Sequence, residues 1–378
     1  MPLETRASWF SSKCVEAQQL TRHLWGSRSA SETMGDKLHR RKGNSSDHQL
    51  RPLNDRLVIN EVGVQRQPGG AAHSLPEERL VVGPAFSLPR LLALELCPPR
   101  KHVAQHHFKP RPTDVIVATS PKCGTTWLRA LVFSIVNRHS FDFSDHPLSK
   151  KNPQELVFFL EGAIYIDGST SFIDGLPSPR LLSTHLPYSL FPTSMTDDTS
   201  ECRFVYICRD PKDVFISKWH FANKLRAKDL PPIALEEAFD SFCQGVSHYG
   251  PFWDHVLGLL ESQLESPKKV LFLKYEDVKK QPWDCVRKVA EFLEVPFSPE
   301  EENKGIVEGI VKLCSFENMS NQEVNKMPPE TRNDLLAIQI SSGKVKLEIG
   351  LIISHLKWPE ALDQITEQKL QATGFNFR

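Results

Sequence analysis

The sequence predicts an α/β fold in which a central parallel sheet carries helices on both faces. From about residue 110 onward, short apolar runs alternate with stretches of helical pattern, as in chains that build parallel sheets. The runs are apolar throughout, which is typical of strands that are buried on both faces. In such a sheet, ligands bind beyond the carboxyl ends of the strands. The residues that follow each run are therefore the candidates for function.

Four apolar runs are predicted to be strands, at residues 114–118, 181–185, 203–208 and 270–275. The stretch 128–136 follows the first run and is predicted to be a buried helix. Further helices are predicted from about Asp213 and from about Trp283. Pro211 and Pro282 lie at their starts, where a missing N–H costs nothing.

Residues 1–80 are predicted to be disordered or an atypical extension, and residues 81–378 to form one large domain. The extension has few aromatic residues, namely Trp9, Phe10 and Trp25, and can therefore bury too little apolar surface to order itself. A basic run at residues 39–42 is interpreted as a solvated stretch of charge rather than as a nuclear signal.

The overall charge of the chain gives no reason to expect nucleic acid or an anionic membrane as a partner. Lys and Arg together number 46, as do Asp and Glu, so the net charge is zero and any anion site must be local. The eight cysteines form no C-x-x-C pair, which argues against a zinc site or a disulfide framework and fits a reducing compartment. No apolar run approaches the ~20 residues that span a membrane. We expect a cytoplasmic protein without a metal.

The loop after the first strand has the composition of a phosphate or sulfate cradle. Strand, tight loop and helix together aim backbone N–H groups at an anion. Gly124 allows a close approach of the backbone, and Lys122 adds a positive charge. An ordinary strand-to-helix turn and a nucleotide kinase or NTPase are the alternatives. The order of residues argues against the NTPase, because Lys precedes the Gly here.

Two further strand ends carry candidate residues. Arg209 follows the run 203–208 and could grip a phosphate with two donors, although an Arg–Asp surface pair with a helix cap is an equally good interpretation of that segment alone. His185 ends the run 181–185. A histidine there is often a hydrogen-bonded core residue, but a neutral imidazole can also remove a proton from a hydroxyl.

These motifs together resemble the cytosolic sulfotransferases. The string Pro-Lys-Cys-Gly-Thr-Thr-Trp at residues 121–127 is similar to the family's 5′-phosphosulfate loop, and its Cys to the plant-type branch. The Arg209–Ser217 block resembles the 3′-phosphate site, and Thr-His-Leu-Pro at 184–187 resembles the segment of the catalytic base. The resemblance covers roughly residues 105–325 and the tail. It implies a P-loop-like nucleotide-binding fold.

The resemblance also implies a role for each matching residue. His185 is the general base, Lys122 stabilises charge on the bridging oxygen, and Ser217 restrains Lys122 before the acceptor binds. Phe159 and Phe221 line the acceptor site with His185, and the segment 239–255 shapes that side. The implied cofactor-binding residues are Lys122, Cys123, Gly124, Thr125, Thr126, Trp127, Arg209, Ser217, Tyr275, Cys314 and Phe316. In this arrangement the adenine stacks between the rings of Trp127 and Phe316 and is contacted by Tyr275.

The reaction implied is transfer of a sulfuryl group from 3′-phosphoadenosine 5′-phosphosulfate (PAPS). The acceptor would be a hydroxyl or amine of a small apolar molecule such as a flavonoid, a steroid or another phenol or alcohol. Positioning and charge stabilisation carry such a transfer, and no metal is implied. Magnesium dependence would distinguish an NTPase. The expected assembly is a monomer or a weak homodimer.

The chain departs from the family near its C-terminus. Members carry Phe-Arg-Lys-Gly-x-x-Gly-Asp-Trp, which holds the 3′-phosphate, and this chain lacks it. Codons for the family's sequence can be chosen so that reading them one base late yields residues 341–359. We hypothesise that two compensating changes of reading frame bracket this segment. A transcript that encodes the chain in a single frame, with no family motif in a shifted frame, would contradict the hypothesis. A catalytically impaired homologue is thus the alternative function.

Overall fold

A computed structural model describes residues 108–161, 170–226, 230–326 and 358–377. The predicted extension at residues 1–80 lies outside these residues. So does the altered segment 341–359, apart from Trp358 and Pro359. No helix among the described residues is long and apolar enough to cross a membrane.

A five-stranded parallel sheet forms the centre of the fold and confirms the predicted class. The strands in chain order are β1 (Val115–Ala118), β2 (Phe158–Phe159), β3 (Leu181–Thr184), β4 (Arg203–Cys208) and β5 (Val270–Lys274). Their order across the sheet is β2-β3-β1-β4-β5, so β1 lies between β3 and β4. Successive strands are therefore added first on one side of β1 and then on the other, and such sheets bind ligands at the point where this order switches.

The α-helices of the described residues are short except for those that cover the sheet. In chain order they are α1 (Thr125–Val136), α2 (Pro153–Leu156), α3 (Ser171–Asp174), α4 (Thr193–Thr196), α5 (Pro211–Leu225), α6 (Leu235–Cys243), α7 (Phe252–Glu265), α8 (Tyr275–Lys280), α9 (Pro282–Phe292), α10 (Pro299–Asn303), α11 (Ile306–Leu313), α12 (Phe316–Asn321), α13 (Glu323–Lys326) and α14 (Trp358–Leu370). Single 3₁₀ turns occupy Phe143–Asp145, Pro147–Ser149, Tyr188–Leu190 and Gln371–Thr373.

Alternate residues of each strand point to opposite faces of the sheet, and each face has its own apolar core. Ile116 and Tyr206 belong to the core beneath α5, α6, α7 and α14. Val117 and Val205 belong to the core beneath α1, α9 and α11. Helices on both faces explain why the strands are apolar throughout.

The element boundaries differ from the predicted ones by a few residues. α1 begins at Thr125 rather than at 128, directly after Gly124, whose positive φ of 107° turns the chain into the helix. α5 begins at Pro211 rather than at Asp213, because the Asp210 side chain accepts from the Lys212 N–H at 2.8 Å and caps the helix. β5 ends at Lys274, so Tyr275 is the first residue of α8.

A buried ion pair ties the amino-terminal ends of two central strands together. Arg180, which precedes β3, donates from Nε and Nη2 to the two carboxylate oxygens of Asp114, at 2.8 and 2.5 Å. Both side chains are fully buried. A further donation from Arg180 reaches the Lys109 carbonyl at 2.8 Å. The pair fixes β1 next to β3 and so sets the spacing of the loops at their other ends.

Candidate active site

The predicted site residues converge at the carboxyl-terminal edge of the sheet. The loop 119–124 follows β1, His185 follows β3, Arg209 follows β4, and Tyr275 follows β5. These strands are neighbours in the order β3-β1-β4-β5. One edge therefore brings together residues that are up to about 150 positions apart in the sequence.

The loop after β1 requires left-handed backbone at two positions. Lys122 has φ 74° and Gly124 has φ 107°. A Cβ at Gly124 would lie 3.1 Å from Cδ2 of Tyr275, so both its conformation and its surroundings favour glycine. No acidic residue lies in the first turn of α1, and no side chain caps its start. The positive end of the helix dipole therefore faces the loop, as an anion site needs.

Lys122 is a partly desolvated cation at this loop. Its ammonium lies 4.8 Å from the ring centroid of Phe221 on α5. Burial, with the positive charges of Arg209 and Lys224, lowers the pKa of Lys122 to about 8. An anion beside it would restore the proton. The hydrogen bonds of the described residues include none between Lys122 and Ser217, so the restraining role of Ser217 stays a prediction.

His185 is held in one neutral tautomer against the loop. Its Nδ1 lies 2.7 Å from the Thr119 carbonyl oxygen, which can only accept, so Nδ1 carries the proton and Nε2 the lone pair. The Thr119 hydroxyl in turn bonds the Thr125 hydroxyl at 2.6 Å. Burial, with the positive charge of Arg129, lowers the pKa of His185 to about 3. The imidazole is thus free of a charge at neutral pH and can accept a proton.

Aromatic rings flank the imidazole. The ring centroids of Phe159 and Tyr249 each lie 5.4 Å from that of His185. With Phe221 beside Lys122, they give the loop an apolar boundary. Tyr249 belongs to the segment 239–255 that the sequence singled out, whereas its contact with His185 depends on the fold.

Arg209 takes part in the surface pair that was the alternative interpretation of its segment. Its Nη2 donates to Oδ2 of Asp213 at 2.6 Å, and its guanidinium lies 4.9 Å from the Tyr275 ring centroid. Asp213 is exposed, and such pairs are weak, so the pair leaves Arg209 available to a phosphate. The backbone N–H of Asp210 donates to Glu276 at 3.0 Å, which fixes the turn.

Two predicted cofactor residues turn their side chains into the core. Cys123 is fully buried, and Cys314 lies against the Ser134 hydroxyl at 3.5 Å. Burial raises the pKa of both thiols to about 12. Any contact of these residues with a ligand would therefore come from the backbone. Phe316, in contrast, is 46% exposed and so has a ring face available for stacking.

Three residues close to His185 were not predicted individually. Glu161 accepts from the His185 N–H, Arg129 lies buried in α1, and His255 bonds the His185 carbonyl. His255 is the last residue of the segment 239–255, which the sequence analysis assigned to the acceptor side. Nothing in the sequence marks Glu161 or Arg129, because each acquires its role only when β2 and α1 pack together. The described residues contain no group of three or more acidic, His or Cys side chains that could hold a metal ion.

The comparisons with known proteins agree on one family. The family model described as "Sulfotransferase domain" matches residues 112–374. Cytosolic sulfotransferase 15 of Arabidopsis thaliana is 41% identical over 278 residues, covering 72% of this chain and 76% of the relative. A flavonol sulfotransferase-like protein of Flaveria bidentis is 43% identical over 279 residues, covering 72% and 86%.

Solved structures give the same result for the fold. A putative steroid sulphotransferase of Arabidopsis thaliana is 37% identical with a TM-score of 0.56, covering 76% of this chain and 85% of that one. Retinol dehydratase in complex with androsterone and the inactive cofactor PAP is 20% identical with a TM-score of 0.56, covering 73% and 85%. The second likeness concerns the fold alone.

Proposed function

The chain belongs to the sulfotransferase family, and we propose from this premise that it moves a sulfuryl group from PAPS to a hydroxyl or amine of a small apolar acceptor. The observation that carries the proposal is the hydrogen bond between the candidate base and the candidate anion loop. His185 Nδ1 lies 2.7 Å from the carbonyl of Thr119, and Thr119 begins that loop. A base fixed to the donor-binding loop is what direct transfer to a hydroxyl requires.

Each residue at the sheet edge has a role in this proposal. The backbone N–H groups at the start of α1 and the hydroxyls of Thr125 and Thr126 hold the phosphosulfate. Lys122 stabilises the negative charge that develops on the bridging oxygen. His185 removes the acceptor proton through Nε2. The fixed cations supply the charge stabilisation, so we expect turnover without added metal.

The far end of the donor would occupy the neighbouring loops. Arg209 and Ser217 would hold the 3′-phosphate, and Tyr275 would contact the adenine between Trp127 and Phe316. The Cys314 backbone, two residues before Phe316, would contribute to the same part of the site.

The acceptor is proposed from the rings that surround the base. Phe159, Phe221 and Tyr249 supply apolar surface beside His185 and Lys122. An apolar boundary with one base at its end suits a flat phenol or a steroid alcohol. The flavonol sulfotransferase-like relative and the putative steroid sulphotransferase point to the same classes. Relatives named cytosolic support a cytoplasmic location.

An acceptor screen tests the proposal. The full chain is incubated with PAPS in EDTA against flavonols, steroid alcohols and simple phenols, and the sulfated product is quantified by mass spectrometry. We expect one PAP per sulfated product and no activity in a Lys122→Met variant. Hydrolysis of a nucleoside triphosphate that requires magnesium would refute the proposal. Binding of PAP without any product would favour the impaired homologue.

The charge state of Lys122 gives a second expected result. Because its pKa in the free protein is about 8, much of Lys122 is neutral at pH 8.5, and an anion beside it restores the proton. Binding of PAP should therefore make Lys122 take up roughly three quarters of a proton at pH 8.5 and almost none at pH 6.5. Calorimetry in buffers of different ionisation enthalpy measures the uptake. Equal uptake by wild type and Lys122→Met would contradict the assignment.

A further inference from the structure

Glu161 lies two residues after β2, on the side of His185 that faces the edge of the sheet. Its Oε1 accepts from the His185 backbone N–H and from the Thr184 hydroxyl, both at 2.8 Å. The carboxylate thus bonds the turn that carries the candidate base. We propose that Glu161, with the buried Arg129 behind it, is a positioning residue for His185, an inference that rests on the proposed role of His185 as the base.

His185 is fixed from three elements, through its backbone and its side chain. Its N–H is held by Glu161 after β2, and its carbonyl lies 3.0 Å from Nε2 of His255 on α7. Its Nδ1 bonds the Thr119 carbonyl after β1. His255 is itself anchored, since its Nδ1 lies 3.1 Å from the Tyr206 hydroxyl. Of these contacts, the one through Glu161 is the contact to a carboxylate and therefore the strongest when that group is ionised.

Glu161 and Arg129 are two opposite charges in a poorly solvated place. Arg129 is 4% exposed, and its guanidinium lies 5.6 Å from the Phe159 ring centroid. Burial lowers the pKa of Arg129 to about 10, against the opposing effect of Glu161. Within the described part of the chain, Nε of Arg129 and Oε2 of Glu161 have no hydrogen-bond partner. The Glu161 carboxylate is therefore stabilised mainly by its hydrogen bonds, and the charge of Arg129 adds a smaller contribution at longer range.

The charges around the imidazole are otherwise positive. Arg129 from α1 and Lys218 from α5 oppose a proton on His185, whereas burial lowers the pKa of His255 on α7 to about 4 and leaves it uncharged near pH 7. Glu161 is the negative group on the remaining side. The carboxylate acts on the orientation of the imidazole through the turn that carries it.

Glu161 should change its protonation state within the physiological pH range. Burial raises its pKa to about 7, against the hydrogen bonds from His185 and Thr184 and the charge of Arg129. Above that pH the ionised carboxylate holds the turn, and below it the neutral acid is a weaker acceptor. The amide proton of His185 should therefore respond near pH 7, although its own imidazole does not titrate there.

Nuclear magnetic resonance of the full chain tests this directly. Histidine is labelled with ¹⁵N, and the His185 amide is assigned by its loss in His185→Asn. We expect the wild-type His185 amide to shift with a midpoint near pH 7, and Glu161→Gln to show no such midpoint. Gln keeps the Oε1 acceptor but not the charge. A wild-type amide that stays constant between pH 5.5 and 8.5, or an unchanged midpoint in Glu161→Gln, would overturn the proposal.

A second variant and a surface control guard against a folding defect. Arg129→Met removes the cation that favours the ionised carboxylate, so the amide midpoint should move above that of wild type. An unchanged midpoint would mean that Arg129 does not act on Glu161. Glu302→Gln alters a partly exposed carboxylate that pairs with Arg287 and should leave the midpoint where it was.

Kinetics separate this inference from the proposed function. With a saturating acceptor, Glu161→Gln should lower kcat by about 10- to 100-fold and change the acceptor KM and the Kd of PAP less than about twofold. The fall in kcat below about pH 7 that we expect for wild type should be absent from the pH profile of Glu161→Gln. A Kd of PAP weakened as much as kcat would mean a merely structural role. If wild type transfers no sulfuryl group, the proposed function fails, and the resonance measurements still decide the role of Glu161.

Discussion

Replacing His185 with asparagine is expected to lower kcat by about 10²- to 10⁴-fold, the usual contribution of a general base. Asparagine is close to histidine in size and can still donate to the Thr119 carbonyl, which His185 Nδ1 contacts at 2.7 Å. It cannot accept a proton at neutral pH. The loss should therefore fall on turnover, because the loop that binds the donor keeps its shape. Steady-state kinetics with a saturating acceptor measure it, and calorimetry with PAP checks that the Kd stays within about twofold.

The control for this prediction is an exposed histidine. His139 has a side chain that is 64% exposed beside Glu301, and His139→Asn should leave kcat unchanged. If His185→Asn kept more than a tenth of the wild-type kcat, His185 would be a structural residue. The base would then have to be sought elsewhere around the same loop.

Replacing Arg180 with leucine is expected to lower the free energy of unfolding by about 3–5 kcal/mol. The change leaves the Asp114 carboxylate buried without the two donors that now contact it at 2.8 and 2.5 Å. It also removes a donor from the Lys109 carbonyl and the guanidinium that lies 5.2 Å from the Phe108 ring centroid. Breaking a buried pair is costly because one charge remains unpaired in the interior. Urea denaturation followed by circular dichroism measures the change.

An ion pair at the surface provides the matched control. Arg203 at the start of β4 contacts Glu294 at 2.5 Å, but the glutamate side chain is 74% exposed. Arg203→Leu should therefore cost no more than about 1 kcal/mol. A loss for Arg180→Leu as small as that for Arg203→Leu would mean that water reaches Asp114, and the account of the buried pair would be wrong.

Most of the sheet could be predicted from the sequence because its central strands are continuous apolar runs. β1, β3, β4 and β5 lie within the predicted ranges to within a residue at each end. β2 was missed, since a strand of two residues at the sheet edge has no run to recognise. The start of α1 was placed three residues late, because the polar residues Thr125 and Thr126 hide the helical pattern.

The location of the candidate site at one edge of the sheet could also be predicted from the strands. Residues after parallel strands meet at one edge, so Lys122, His185 and Arg209 could be grouped without a structure. The surroundings of His185 could not. Glu161 and Arg129 meet it only through the packing of β2 against β3 and of α1 against the sheet, and isolated Glu and Arg residues carry no pattern. The inward direction of the Cys123 and Cys314 side chains likewise depends on packing.

The central claim is that the loop after β1 binds the phosphosulfate end of PAPS, and titration of the full chain with PAP in EDTA tests it most directly. The account predicts one site with micromolar affinity, weakened about 10- to 150-fold in Lys122→Met, because a cation in contact with a phosphate contributes a charge-assisted hydrogen bond that no neutral side chain replaces. Absence of binding, binding that requires magnesium, or equal affinity in wild type and Lys122→Met would contradict it.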